Sequence, residues 1–60
     1  MHQLFKNWED LNRACEDETT VWGQMMAQGE EVLVYENPAN EDLILSDEPI
    51  YYPDWVLVEL

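Results

Sequence analysis

The chain has 60 residues, of which 14 are Asp or Glu, 2 are Lys or Arg and one is His, for a formal net charge of −12. That charge excludes direct binding to nucleic acid, whose phosphates require a basic surface, and it argues against an anionic membrane leaflet. A chain this short buries only ~60% of its unfolded surface, too little for a catalytic cleft between two lobes. Even so, 47% of the residues are apolar, with 3 Trp, 3 Tyr and 1 Phe, more than an acidic disordered tail carries. The composition describes one folded domain, residues 1–60, that tolerates its own repulsion.

In chain order, the first expected element runs from Gln3 to about Asp17. Leu4, Phe5, Trp8, Leu11 and Cys15 recur at spacings of three and four, which places them on one stripe of an α-helix. The opposite face carries both basic residues, and Lys6–Asp10 and Glu9–Arg13 form i,i+4 pairs worth only ~0.2–0.5 kcal/mol each. Between Glu18 and Gly29, Thr19-Thr20-Val21-Trp22 favours extended chain while Gln24 to Gln28 are good helix formers. The spacing predicts an extended entry and a short helix stopped by Gly29, since glycine accepts positive φ freely.

Beyond Gly29 the hydrophobic period changes to two. Val32 to Glu36 and Leu43 to Ser46 read as strands joined by a five-residue loop, Asn37 to Glu41. The prolines within Asp47 to Asp54 allow at most a short edge strand, and Trp55 to Leu60 reads as a last strand. The expected fold class is α+β, with one long and one short helix packed on a small antiparallel sheet of three to five strands. Trp8 and Trp55 are assigned to the core. Trp22, Met25 and Met26 fit either the core or an adaptable apolar groove, methionine being flexible and polarizable.

Catalytic constellations are missing from this pattern. Ser46 is the only serine and His2, at the chain start, the only histidine, a poor basis for a Ser-His-Asp arrangement. Gly23 and Gly29 form no phosphate-binding loop, no Cys/His cluster has metal spacing, and no calcium loop with its central glycine occurs. No catalytic residue, metal or cofactor is expected, and the paired carboxylates are expected to be solvated surface. Cys15 cannot form an internal disulfide, which suits a reducing cytoplasm. The longest apolar runs, three to four residues, fall far short of the ~20 needed to cross a bilayer.

The acids are spread through every element rather than gathered in a tail. Along a strand, same-face neighbours lie ~6.6 Å apart, a spacing comparable to backbone phosphates, so such a surface resembles DNA to a DNA-binding protein. Solubility needs a net charge of only about 2–8 in magnitude. The charge is also compatible with an ordinary acidic soluble domain or one from a high-salt setting.

The last thirty residues add a family resemblance. Glu31-Val32-Leu33-Val34, then Leu43-Ile44-Leu45-Ser46-Asp47-Glu48-Pro49-Ile50-Tyr51-Tyr52-Pro53-Asp54-Trp55-Val56-Leu57-Val58, resemble the uracil-DNA glycosylase inhibitors of Bacillus phages. The likeness rests on a Ser-Asp-x-Pro-x-Tyr-x-Pro string between strands and covers about half the chain. It implies a DNA mimic that binds the glycosylase one to one, without direct contact to nucleic acid or membrane, in the cytoplasm of a phage host. It further implies an apolar pocket that receives the enzyme's minor-groove leucine, formed here by Val34, Leu43, Leu45 and Val58 of the sheet with Met25 and Met26 of the helix. Asp47, Glu48 and Tyr51 would adjoin that pocket. Glu18-Thr19-Thr20, after Glu16 and Asp17, is the nearest equivalent of the family's acidic edge strand, and Glu30 and Glu31 are further candidate contacts. The alternatives are an acidic decoy for another DNA-binding protein (a restriction, CRISPR or nucleoid protein) and an acidic subunit stabilised by its own oligomer.

Overall fold

The computed structural model describes residues 1–59. Two helices and a four-stranded antiparallel sheet make an α+β fold: β1 (His2–Phe5), α1 (Trp8–Glu16), α2 (Val21–Ala27), β2 (Leu33–Glu36), β3 (Leu43–Ser46) and β4 (Val56–Val58), with sheet order β1-β3-β2-β4. The β2–β3 hairpin and its successor strand lie where the period-two pattern puts them. The last strand is shorter than Trp55 to Leu60, and Leu60 lies outside the described residues. Asp42 joins the hairpin loop, which is stapled by the Asn37 N–H donating to the Asp42 carbonyl at 2.8 Å.

The amino-terminal segment departs from the expected helix. His2–Phe5 is a strand paired with β3, and the helix begins only at Trp8. Asn7 sets that boundary: its backbone is extended (φ −157°, ψ 164°) and its side chain accepts from the Asp10 N–H at 2.8 Å, an N-cap that stops the helix from running back through it. The other cause is β3, whose four residues are all buried. A buried strand needs its backbone groups paired on both edges; β2 supplies one edge and β1 the other.

Register divides the sheet into two faces. Phe5, Leu43, Glu36 and Val56 lie in one row across the strands, and Gln3, Leu45, Val34 and Val58 in another. Both rows face the helices, where Phe5, Leu11, Trp22, Val34, Leu43 and Leu45 form the core and Ala14, Cys15, Met25 and Val32 pack around it. Trp22, rather than Trp8, is the buried tryptophan: Trp22 is 3% exposed and Trp8 36%, while Trp55 is half-buried. The Trp22 indole N–H donates to Gln3 Oε1 at 2.8 Å, locking α2 to β1. The other face carries Leu4, Ile44, Tyr35 and Leu57. Because β2 lies between β3 and β4, the segment Asp47–Trp55 must cross the sheet. The Ile50 N–H donates to the Tyr35 hydroxyl at 3.3 Å, which places the crossing over this second face.

Thr19-Thr20-Val21-Trp22 is not an extended entry. Thr20 caps α2, accepting from the Gly23 N–H at 3.0 Å, and its own hydroxyl reaches the carbonyls of Ala14 (2.6 Å) and Asp17 (2.8 Å). Such local side-chain bonds compete successfully with extended chain. The helix therefore starts at Val21, three residues before Gln24. It ends as expected at Gly29 (φ +76°), with Gly29 N–H to Met26 carbonyl and Glu30 N–H to Met25 carbonyl bonds of 3.2 and 3.0 Å, the Schellman pattern.

The two helices meet closely at Gly23, where an added Cβ would lie 1.8 Å from the Asp17 carbonyl oxygen. Alanine is the better helix former by about 1 kcal/mol, but here backbone obstructs backbone. Gly23→Ala is therefore expected to destabilise the fold by about 1–3 kcal/mol, the usual scale of overpacking, measurable by urea denaturation; an exposed control, Gln24→Ala, should be close to neutral.

Candidate partner-binding surface

The carboxylates occupy helix ends and turns rather than one strand. Among the described residues Glu36 is the only acid within a strand; the others lie in α1, in the connections or beside β4. At Asp17 the local reason is that a short side-chain acceptor satisfies turn donors. Glu16 ends α1 and Asp17 caps it, its Oδ1 accepting from the Thr19 N–H (2.9 Å) and hydroxyl (2.6 Å). Glu18-Thr19-Thr20 is thus a helix–helix turn and not an edge strand. Its hydroxyls are already committed to backbone and to Asp17, which leaves Glu18 as the free acidic group of the trio.

Asp47 and Glu48 converge on the amino-terminal ammonium of Met1 at 2.9 and 3.4 Å. Glu30 and Glu31 are exposed in the link from α2 to β2, and Tyr51 is 88% exposed on the crossing segment. Apart from the Glu30 N–H donating to the Met25 carbonyl in the helix stop, no hydrogen bond or ion pair among the described residues joins these three to the other candidates. Lys6 pairs with Asp42 at 3.3 Å, and Arg13 with Glu9 and Asp10 at 3.0 and 3.5 Å. With those cations used, Glu16, Asp17, Glu18, Glu30, Glu31, Glu36, Glu41, Asp54 and Glu59 have no cationic partner among the described residues.

The apolar candidates do not form an open pocket. Val34, Leu43 and Leu45 are each 0% exposed, sealed between the sheet and the helices because α2 packs Trp22 and Met25 against them. Val58 is half-buried at the sheet edge, Met25 half-buried on the core, and Met26 turned outward. Open space lies elsewhere. A groove of about 320 Å³ is lined by Met1, His2, Gln3, Ala14, Thr20, Val21 and Trp22, and a smaller hollow of about 180 Å³ by Lys6, Asn7, Trp8, Glu36 and Glu41. The sequence signal for the groove was the apolar pair Val21-Trp22, obscured because the segment reads equally as strand.

Charge and titration follow from these contacts. The hydrogen bond from the ammonium holds the Asp47 carboxyl below its ordinary 3.8, and the same bond raises the ammonium above 8.0. The Thr19 hydroxyl and then its N–H lower Asp17. Burial, aided by the charge of Glu16, pushes the Cys15 thiol up, which keeps it protonated at neutral pH and weakly nucleophilic. Among the described residues no group of three or more His, Cys, Asp or Glu is placed to hold a metal ion, and no helix is long and apolar enough to cross a membrane.

Two outcomes are expected. Asp47 is depressed in the folded state, so its contribution is present above about pH 4 and lost as pH falls through its folded value; the ammonium is raised, so its contribution persists below about pH 8 and is lost as pH rises through its folded value. Asp47→Asn should lower the thermal midpoint slightly at pH 5–7 and leave it unchanged near pH 2, as followed by circular dichroism. Self-repulsion also implies a salt response of the opposite sign to that of ordinary ion-paired proteins. Raising ionic strength from about 0.01 M to 1 M, which shortens the screening length from ~30 to ~3 Å, should raise the thermal midpoint.

Comparison with known protein families, characterised proteins and solved structures finds no match to this chain.

Proposed function

We propose that this chain is a DNA-mimicking inhibitor, a binding protein that occupies the cationic DNA groove of a DNA-processing enzyme. The observation that carries the reading is the set of nine carboxylates without a cationic partner among the described residues, on a domain of this size. The enzyme named by the resemblance of residues 31–34 and 43–58 is uracil-DNA glycosylase, bound one to one in the cytoplasm of a phage host. Attraction between the acidic surface and a basic groove accelerates encounter, and neutralisation by the enzyme's lysines and arginines relieves the repulsion that the free protein carries. Glu18, exposed and uncommitted in the α1–α2 turn, is the acidic group best placed for such contact.

A second target class is favoured by one specific feature. The sealing of Val34, Leu43 and Leu45 leaves charge rather than a leucine pocket as the trait shared with the glycosylase inhibitors. Charge alone suits an acidic decoy for a restriction, CRISPR or nucleoid protein.

A uracil-excision assay separates the two. Equimolar protein at micromolar concentration should block excision by uracil-DNA glycosylase, and Glu18→Lys should weaken the block while leaving the thermal midpoint unchanged or higher. Unimpeded excision would remove the glycosylase from consideration, and capture of a different DNA-binding protein from a host lysate would then support the decoy.

A further inference from the structure

β1 is an outer strand of the sheet, and its free edge has a defined phase. The Asp47 N–H donates to the Met1 carbonyl at 3.3 Å, and Met1 and Asp47 continue the β1–β3 register. In an antiparallel ladder, bonded and non-bonded pairs alternate. Gln3 and Phe5 therefore turn their backbone groups toward β3, while the N–H and C=O of His2 and Leu4 point away from the sheet. Both residues are exposed, Leu4 at 49%.

This open edge runs beside the groove of about 320 Å³, whose far wall is Ala14, Val21 and Trp22. Val21 is 52% exposed and Met1 49%, so apolar surface faces the space that an added strand would occupy, ~4.8 Å beyond β1. Such a strand would send alternate side chains into the groove and the others over Leu4 on the opposite face. Acids adjoin two of the residues that line the groove, Thr20 and Met1. Asp17 and Glu18 lie in the turn before Thr20, and Asp47 and Glu48 flank Met1, their two charges exceeding the single ammonium between them.

We infer that the β1 edge and its groove form a strand-addition site for an extended segment of a partner protein in which basic residues alternate with aliphatic ones. Main-chain bonds to His2 and Leu4 hold the segment, an aliphatic side chain rests against Val21 and Trp22, and lysines or arginines meet the acids beside Thr20 and Met1. A second copy of this chain is the poorer occupant, because pairing would bring together two domains of −12 each. This site goes beyond the proposed inhibition and does not depend on the enzyme's identity.

The test uses the whole chain and an acetylated, amidated peptide of sequence Lys-Leu-Lys-Val-Lys-Leu, observed by nuclear magnetic resonance. Binding should slow amide exchange at His2 and Leu4 and shift the resonances of Val21 and Trp22. A peptide N-methylated at alternate residues, equal in charge but unable to complete a ladder, should bind at least about tenfold more weakly. Val21→Arg should cause a similar loss, whereas Val56→Arg, with the same charge change at the opposite sheet edge, should alter affinity by no more than about twofold. Equal binding of the N-methylated peptide would reduce the interaction to charge alone and overturn the proposal. So would greater sensitivity to Val56→Arg than to Val21→Arg, or sedimentation showing a dimer of this chain whose formation protects His2 and Leu4.

Discussion

Everything in this fold is arranged around the burial of Leu43-Ile44-Leu45-Ser46. A strand with no exposed residue must be covered on both faces and hydrogen-bonded on both edges, because a buried backbone amide without a partner costs about 1–3 kcal/mol. In a chain of 60 residues that demand uses nearly every element. β1 and β2 supply the edges, α1 and α2 cover Leu43 and Leu45, and the crossing segment passes over the face that carries Ile44. Even Ser46 is made compatible with burial by its neighbour: its hydroxyl donates to the Glu48 carbonyl at 2.6 Å and accepts from the Glu48 N–H at 3.1 Å.

The acidic surface is tolerable because it is kept away from this centre. Apart from Glu36 in β2, the carboxylates sit in α1, turns and links, and, while Arg13 pairs within α1, the other cations join parts of the chain distant in sequence. Lys6 reaches Asp42 in the hairpin loop, and the amino terminus reaches Asp47 and Glu48. These exposed pairs are individually weak. Their value lies in register, since each lies at an end of the β1–β3 pairing. Glu41 adds a local strain of a different kind, adopting φ +63° in that loop, a left-handed conformation that costs a non-glycine residue roughly 1–2 kcal/mol.

What could be read from the sequence was what rests on local chemistry or a clean period. The hairpin, with alternating side chains around an Asn-Pro-containing loop, and the glycine stop at Gly29 belong to that group. β1 escaped because Leu4-Phe5 continues the helical spacing of Trp8 and Leu11, and only the needs of β3, forty residues away, make it a strand. Trp8 missed the core for the same reason, because the helical stripe that included it began one element too early, while Trp22 took the core place that was one of its two expected settings. At the candidate site, the distribution of acids was legible and their setting was not. Asp17 and Thr20 read as polar contacts, but the turn they form consumes their hydrogen-bonding capacity, and the apolar set fell on the core because strand alternation does not distinguish a sealed cavity from an open one.

The crossing from β3 to β4 has a consequence for how this molecule comes apart. β4 has three residues, pairs only with β2, and is joined to the rest through a segment with two prolines and one backbone bond to Tyr35. It docks onto a hairpin that must already exist, whereas β1, β2, β3 and the helices complete the core without it. Residues 49–58 are therefore expected to be the outermost cooperative unit, the one that opens at the lowest free energy, whereas Asp47 and Glu48 stay tied to Met1 and Ser46. Its release would expose Tyr35 and Ile44 while leaving the central strand paired to β1 and β2.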